Sequence, residues 1–218
     1  MSADRRSARD ERRRRLGQNF LRPELADQLV ADAGVQAGEL VVEPGAGTGG
    51  LTLALARRGA DVIAVELDPV WAERLAERAR RVGPGTVRVV RGDFVSVPLP
   101  ARPFRVVGSL PFGATTAMLR RLLDDPGLPL CRVDAVVQWE VARKRAATPP
   151  ATLLSTVWAP WWQFRLGRRI RASEFRPVPK VDGAVLTVTR RDPPLLPPAL
   201  AGPYAGFVRS RWPFPAAR

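Results

Sequence analysis

The sequence predicts an α/β fold, a parallel sheet with helices on both faces. Three observations carry this. Short apolar runs alternate with helical periodicities from residue 40 to residue 123, and such alternation implies parallel strands joined by helical crossovers. The run at 40–42 breaks at Glu43 into a turn with Gly45, Gly47, Gly49 and Gly50, and a helical pattern (Leu51, Leu53, Ala54, Leu55) begins at once. The next apolar run, 62–65, ends in an acid, Glu66, 21 residues after Gly45. Strand, tight loop, helix, strand and acid make the layout of a Rossmann-like nucleotide site.

Taken in order, residues 1–15 are polar and hold seven arginines, a basic arm suited to sequence-independent phosphate contact. LGQNFL at 16–21 offers a turn at Gly17 and packing at Phe20 and Leu21. Arg22-Pro23-Glu24 then opens a helix to about Ala33, with Pro23 in a favoured first-turn position. Strands are expected at 40–44, 61–66, 87–91 and 104–108, and helices at 50–58, 69–81 and 114–123. Residues 133–139 give a fifth strand, and 140–147 a short basic helix with Arg143, Lys144 and Arg145. Pro149-Pro150 breaks the chain; 152–159 is another short helix, and 161–170 and 183–190 a closing pair of strands. Prolines 193, 194, 197 and 198 mark a linker, followed by a short segment at 204–212. The domain reading is a basic arm (1–15), one catalytic domain (16–191), and a linker with the remnant of a further helical unit (192–218).

Composition narrows the function. Apolar residues make up 45% of the chain, enough for a real core. No apolar run approaches the roughly 18 residues of a membrane span, so a cytoplasmic protein without a membrane partner is expected, a monomer by default. The single cysteine, Cys131, excludes an internal disulfide and a cysteine metal cluster. The absence of histidine removes the usual general base, the Ser-His-Asp triad and the commonest metal ligand; no metal is expected. Lys and Arg total 35 against 21 acids, a net charge of +14, and only Lys144 and Lys180 are lysines. That excess argues for a polyanionic partner, and arginine both stacks on bases and grips phosphate bidentately.

Two cofactor classes fit the glycine loop. A dinucleotide would place its pyrophosphate on the turn and a ribose on Glu66. S-adenosylmethionine uses the same layout without a pyrophosphate. Glu43, two residues before Gly45, sits badly beside a pyrophosphate and suits the cationic methionine end of S-adenosylmethionine. Two further loops fall at strand ends, where ligands of parallel sheets bind. Asp93, in Arg91-Gly92-Asp93-Phe94, is placed to accept from an exocyclic amine, with Phe94 beside it to cover a ring. In Gly108-Ser109-Leu110-Pro111-Phe112-Gly113, the stiff Pro111 aims the Ser109 and Leu110 carbonyls at the cleft, and Phe112 is an aromatic at a loop tip. Acceptors on the N–H bonds of a planar amine make it nucleophilic, and a stacked ring stabilises the cation that forms.

These motifs together resemble the rRNA adenine-N6 methyltransferases: the Erm enzymes of macrolide–lincosamide–streptogramin B resistance and their housekeeping relatives that dimethylate small-subunit rRNA. LGQNFL, VVEPGAGTGGLTLAL, AVELD, RGDF, the S-L-P-F loop and EFRPVPKVDGAVL stand in the family's order and spacing over about residues 16–191. The arginine-rich head, LPFGATTAMLRRLL and the tryptophan-rich 158–162 region look more like the resistance branch. The resemblance implies a Rossmann-like, S-adenosylmethionine-dependent methyltransferase acting on one adenine of 23S rRNA, on free or pre-assembly large-subunit RNA. It implies that Asn19, Leu21, Gly45 and its supporting Glu43 hold the methionine end, Glu66 the ribose, and Asp93 with Phe94 the adenine ring. It further implies that Ser109, Leu110 and Phe112 present acceptors and a stacking face to the target, with Phe175 the second aromatic of a sandwich around a flipped base.

The chain departs from the family twice. The S-L-P-F loop normally begins with Asn, and Ser109 lacks that side-chain carbonyl, so slower or mono-methylation is expected. The helical C-terminal unit of the family reads as truncated, with some RNA affinity lost. The competing readings are the housekeeping 16S rRNA dimethyltransferase, an RNA-binding assembly factor whose catalysis has decayed, and a nicotinamide-dependent oxidoreductase. The last has no proton relay and leaves the S-L-P-F loop and the charge unexplained.

Overall fold

The structure, a computed structural model, describes residues 19–80 and 82–213, so the arginine-rich arm lies outside the described residues. The strands are β1 (Phe20–Leu21), β2 (Leu40–Pro44), β3 (Asp61–Glu66), β4 (Thr86–Arg91), β5 (Phe104–Ser109), β6 (Leu130–Gln138), β7 (Trp162–Ile170), β8 (Phe175–Arg176) and β9 (Gly183–Arg190). The helices are α1 (Pro23–Ala33), α2 (Gly50–Arg57), α3 (Pro69–Ala79), α4 (Thr115–Leu123), α5 (Trp139–Arg145), α6 (Leu153–Trp158) and α7 (Ala201–Arg211). Seven strands form one sheet in the order β4-β3-β2-β5-β6-β9-β7. The first five of these run parallel, and β9 enters antiparallel between β6 and β7.

The parallel strands are buried on both faces, and consecutive residues feed opposite cores. Val41, Val62, Val107 and Val136 pack with α1 and α2 on one side, while Val42, Val106, Val133 and Ala135 pack with α4 and the tryptophans on the other. Trp158 and Trp162 are fully buried. Their indole N–H groups donate to Asp124 Oδ1 (2.8 Å) and to the Leu123 carbonyl (3.2 Å), so burial leaves no orphaned donor there. Arg105, on β5, donates to Glu39 (2.9 Å), Asp134 (3.3 Å) and the Ala33 carbonyl, which locks the C-terminal end of α1 to the sheet. A cation is at home at that end of a helix.

The expected elements are present, with differences at their ends. β6 starts at Leu130, three residues early, because the outward Cys131 and Arg132 interrupt the apolar run. The segment expected at 204–212 is a helix from Ala201; Gly202, Pro203 and Gly206 hide its pattern, although proline is tolerated in a first turn. The proline-rich stretch before it is pinned to the sheet domain by Leu195 N–H to the Pro160 carbonyl (2.8 Å) and Trp161 Nε1 to the Leu196 carbonyl (2.8 Å). Ala205 and Val208 of α7 are buried against the tryptophan core. The sequence reading contains no β1 or β8. These two-residue strands pair antiparallel, Phe20 opposite Arg176 and Leu21 opposite Phe175, and are too short to show alternation.

Candidate active site

A cleft of about 860 Å³ opens at the carboxyl ends of β2 to β5. Asn19, Gly45, Glu66, Asp93, Phe94, Ser109, Leu110 and Phe112 all line it. The fold therefore gathers segments spread over more than ninety residues into one site.

The glycine loop is built from its own backbone. Gly45 and Ala46 N–H groups donate to the Val65 carbonyl at 2.8 and 3.1 Å. Gly47 has φ +53°, and a Cβ there would stand 2.5 Å from the Phe20 ring; only glycine meets both demands. Glu66, 4% exposed, accepts from Gly47 N–H (2.6 Å) and Asp68 N–H (2.8 Å). Burial raises its pKa, and those backbone donors oppose the rise. Each oxygen keeps a further lone-pair site for a hydroxyl.

Glu43 and Leu21 stand apart from the cleft lining. The Glu43 carboxyl is buried behind the loop and accepts from the Thr52 hydroxyl on α2. Burial pushes its pKa up to about 8, with the Thr52 bond opposing and the nearby Glu66 adding. The sequence expectation of a charged carboxylate facing the ligand is thus corrected. β2 is buried along its length, and Glu43 braces the loop from behind through Thr52. Leu21 packs with Phe175 under the short ladder rather than on the cleft wall.

Asp93 is exposed and lines the cleft, and its Oδ1 also accepts from Val95 N–H at 3.1 Å, the turn-capping role open to any Asp at a strand end. Phe94 is buried, sharing its ring between the cleft floor and the core. The Ser109–Phe112 loop is fixed by Leu110 N–H to the Val136 carbonyl (2.9 Å) and by Ala114 N–H and Thr115 Oγ1 to the Pro111 carbonyl (2.9 and 3.0 Å). A Cβ at Gly45 would touch Pro111 Cδ at 3.4 Å, so the two loops abut.

Phe175 departs from expectation. It is fully buried, and its ring meets Phe112 edge to face, centroids 6.0 Å apart and planes at 71°. Rings in mutual contact at that angle leave no parallel slot for a base; in this structure Phe175 is the backing against which Phe112 rests. Phe20, Leu67 and Met118 line the cleft although the sequence reading gave Phe20 only a packing role and the other two none. For Leu67 the available signal was its position directly after the acid that ends the apolar run, whereas Met118 is indistinguishable from a core residue by periodicity.

A seven-stranded Rossmann-like sheet with a glycine loop, a ribose-type acid and a proline-aromatic loop in one cleft defines the nucleoside-cofactor methyltransferase class. The solved structure of the 23S rRNA methyltransferase ErmE matches with a TM-score of 0.77 at 31% identity, over 90% of this chain and 81% of that one. The chain belongs to the ribosomal RNA adenine dimethylase family, whose pattern matches residues 9–211. It is 39% identical over 183 residues to an rRNA adenine N-6-methyltransferase of Corynebacterium diphtheriae, covering 83% of this chain and 70% of that protein. It is 38% identical over 198 residues to the mycinamicin-resistance protein MyrB of Micromonospora griseorubida, covering 90% of this chain and 62% of that protein.

Proposed function

We propose that this chain transfers a methyl group from S-adenosylmethionine to N6 of one adenine in 23S rRNA, and that the modification confers resistance to macrolide-type antibiotics. One observation carries the reading: the glycine loop with Glu66 and the Ser109–Phe112 loop abut in a single cleft. The names of the relatives, an rRNA adenine N-6-methyltransferase, a mycinamicin-resistance protein and a 23S rRNA methyltransferase, support the substrate. The reading includes free or pre-assembly large-subunit RNA as substrate, a cytoplasmic setting and a monomer.

The residues present fit the cofactor. The closely approachable backbone at Gly45 and Gly47, the carboxylates of Glu66 and Asp93, and the apolar faces of Phe94, Leu67 and Met118 suit a nucleoside with a polar tail. Asn19 and Gly45 would hold the methionine end, Glu66 the ribose and Asp93 the adenine amine. When bound, the cofactor supplies an electrophilic methyl group on a sulfonium. Phe112 stacks on the target base and stabilises the positive charge that grows on it. Backbone carbonyls of Ser109 and Leu110 accept from N6–H and draw the nitrogen lone pair out of the ring. Phe175 keeps Phe112 from retreating. The methylated, cationic N6 is strongly acidic and sheds its proton to water, so catalysis is chiefly positioning and charge placement, and a histidine base has no task.

The test is transfer of labelled methyl groups to protein-free 23S and 16S rRNA, with the product digested to nucleosides. Label on one 23S adenine as N6-methyl or N6,N6-dimethyl is the expected result. Label on 16S rRNA moves the chain to the housekeeping branch, and none on either RNA overturns the catalytic reading.

A further inference from the structure

The cleft occupies one end of the sheet, and a basic groove occupies the other. Register fixes the two ends: Gln138 opposite Gly183 at the cleft end, Arg132 opposite Thr189 and Trp162 opposite Arg190 at the far end. On the face carrying Gln163 and Arg165, an open groove of about 1120 Å³ runs between β7 and the loop that follows α5. Arg132, Arg145, Arg165 and Arg191 line it with Thr189 and with Thr187, whose buried hydroxyl donates to Asp134 Oδ1 (3.0 Å), and no carboxylate is among its lining residues. It shares Arg132, Arg165 and Thr187 with a second cavity that climbs the same face toward α1.

The four arginines are not equivalent. Arg132 is clamped on Asp134 (2.7 and 2.8 Å), Arg191 Nε donates to the Ala159 carbonyl (2.7 Å), and Arg145 lies over the Trp158 ring and donates to Thr152. These three are held in place by the fold. Arg165 is exposed and has no hydrogen-bond or ion-pair partner among the described residues. Fixed guanidinium groups around one free one, with the part-exposed Thr189 between, suit the sugar–phosphate backbone of a nucleic acid, which offers closely spaced anions and little else.

We propose that this groove is a second RNA contact, gripping the backbone of the substrate at the end of the sheet opposite the adenine cleft. It rests on the reading of the chain as an RNA methyltransferase. The RNA thus runs along the Gln163 and Arg165 side of the edge strand β7 as well as over the cleft mouth.

The experiment measures binding of protein-free 23S rRNA across a salt series, beside methyl transfer, for wild type, Arg165→Glu, Arg165→Lys and Arg58→Glu. Arg58 is an exposed arginine outside the groove and controls for net charge. Arg165→Glu is expected to weaken binding about tenfold and to lower the salt slope by about one phosphate contact. The effect should fall on the KM for RNA, with cofactor affinity unmoved. Arg165→Lys should restore the slope, and Arg58→Glu should have a much smaller effect. Wild-type binding by Arg165→Glu, or an equal loss in Arg58→Glu, overturns the groove while leaving the methyltransferase reading intact. Absence of methyl transfer in wild type tells against that reading instead, and the binding isotherms still score the groove.

Discussion

The loop after β2 and the loop after β5 meet in one cleft but are built differently. The first is held by backbone hydrogen bonds to Val65 and to the buried Glu66 carboxylate, and its shape exists before anything binds. The second ends in Phe112, half-buried, whose companion Phe175 is sealed in the core and presents only an edge contact. The cofactor half is preorganised by groups that cannot move without loss of hydrogen bonds. The target half has backbone hydrogen bonds on either side of Phe112, but the Phe112 side chain itself rests on ring contact, which costs less to rearrange. An enzyme that must receive a base pulled from an RNA has reason to keep its rigidity on the cofactor side.

The sharpest way to break this contrast is Phe175→Ala. As a fully buried ring its loss should cost about 3–5 kcal/mol of stability, read as a large drop in thermal midpoint. Phe175→Leu separates the roles. If the ring only backs Phe112, most of kcat survives; a loss matching that of Phe112→Ala would show that a base stacks on Phe175 directly. Phe112→Ala itself should lower kcat about 10- to 100-fold, from a stacking contribution of about 1–3 kcal/mol, while calorimetry shows cofactor affinity unchanged. Gly47→Ala acts on the other loop. Its positive φ costs an alanine about 1–2 kcal/mol, and its Cβ would strike Phe20, so cofactor affinity should fall by about tenfold with RNA binding intact.

A smaller effect concerns Glu43. Its folded pKa stands above its unfolded value, so the stability it contributes is full below about pH 4.5 and is lost as pH rises to about 8. Glu66, shifted the same way, adds to the trend. Thermal midpoints of Glu43→Gln should therefore decline less than wild type between pH 5 and 8 and run parallel to it above that. A wild-type slope in the variant would refute the buried neutral carboxyl. Least disruptive is Ser109→Asn, which restores a side-chain acceptor and should leave methyl transfer equal or faster; a clear fall in rate would show that the loop needs the smaller residue.

Much of this was legible because it depends on residues that cannot serve otherwise. Four glycines in six positions, an acid closing the next strand and a proline-aromatic loop each name a backbone geometry, and the structure assembles them. Glu43 was misread because charge complementarity is visible in a sequence and burial is not. Phe175 was assigned to stacking on the resemblance alone, and only the fold shows Gly183 closing over its ring, where a Cβ would lie 3.1 Å from Phe175 Cζ. The groove around Arg165 was unreadable because its four arginines come from two strands, one helix and the turn after β9, far apart along the chain.

The ladder of β1 and β8 has a consequence for exchange. It joins Phe20, which covers Gly47, to Phe175, which backs Phe112, through two residues on each side. So short a ladder sits at the low end of local stability, far below the central strands of the large sheet. The amides of Phe20, Leu21, Phe175 and Arg176 should therefore exchange as one group, early and together. The Phe20 cover over Gly47 then loosens first, while the Phe175 ring stays in the core and β2 to β6 stay protected.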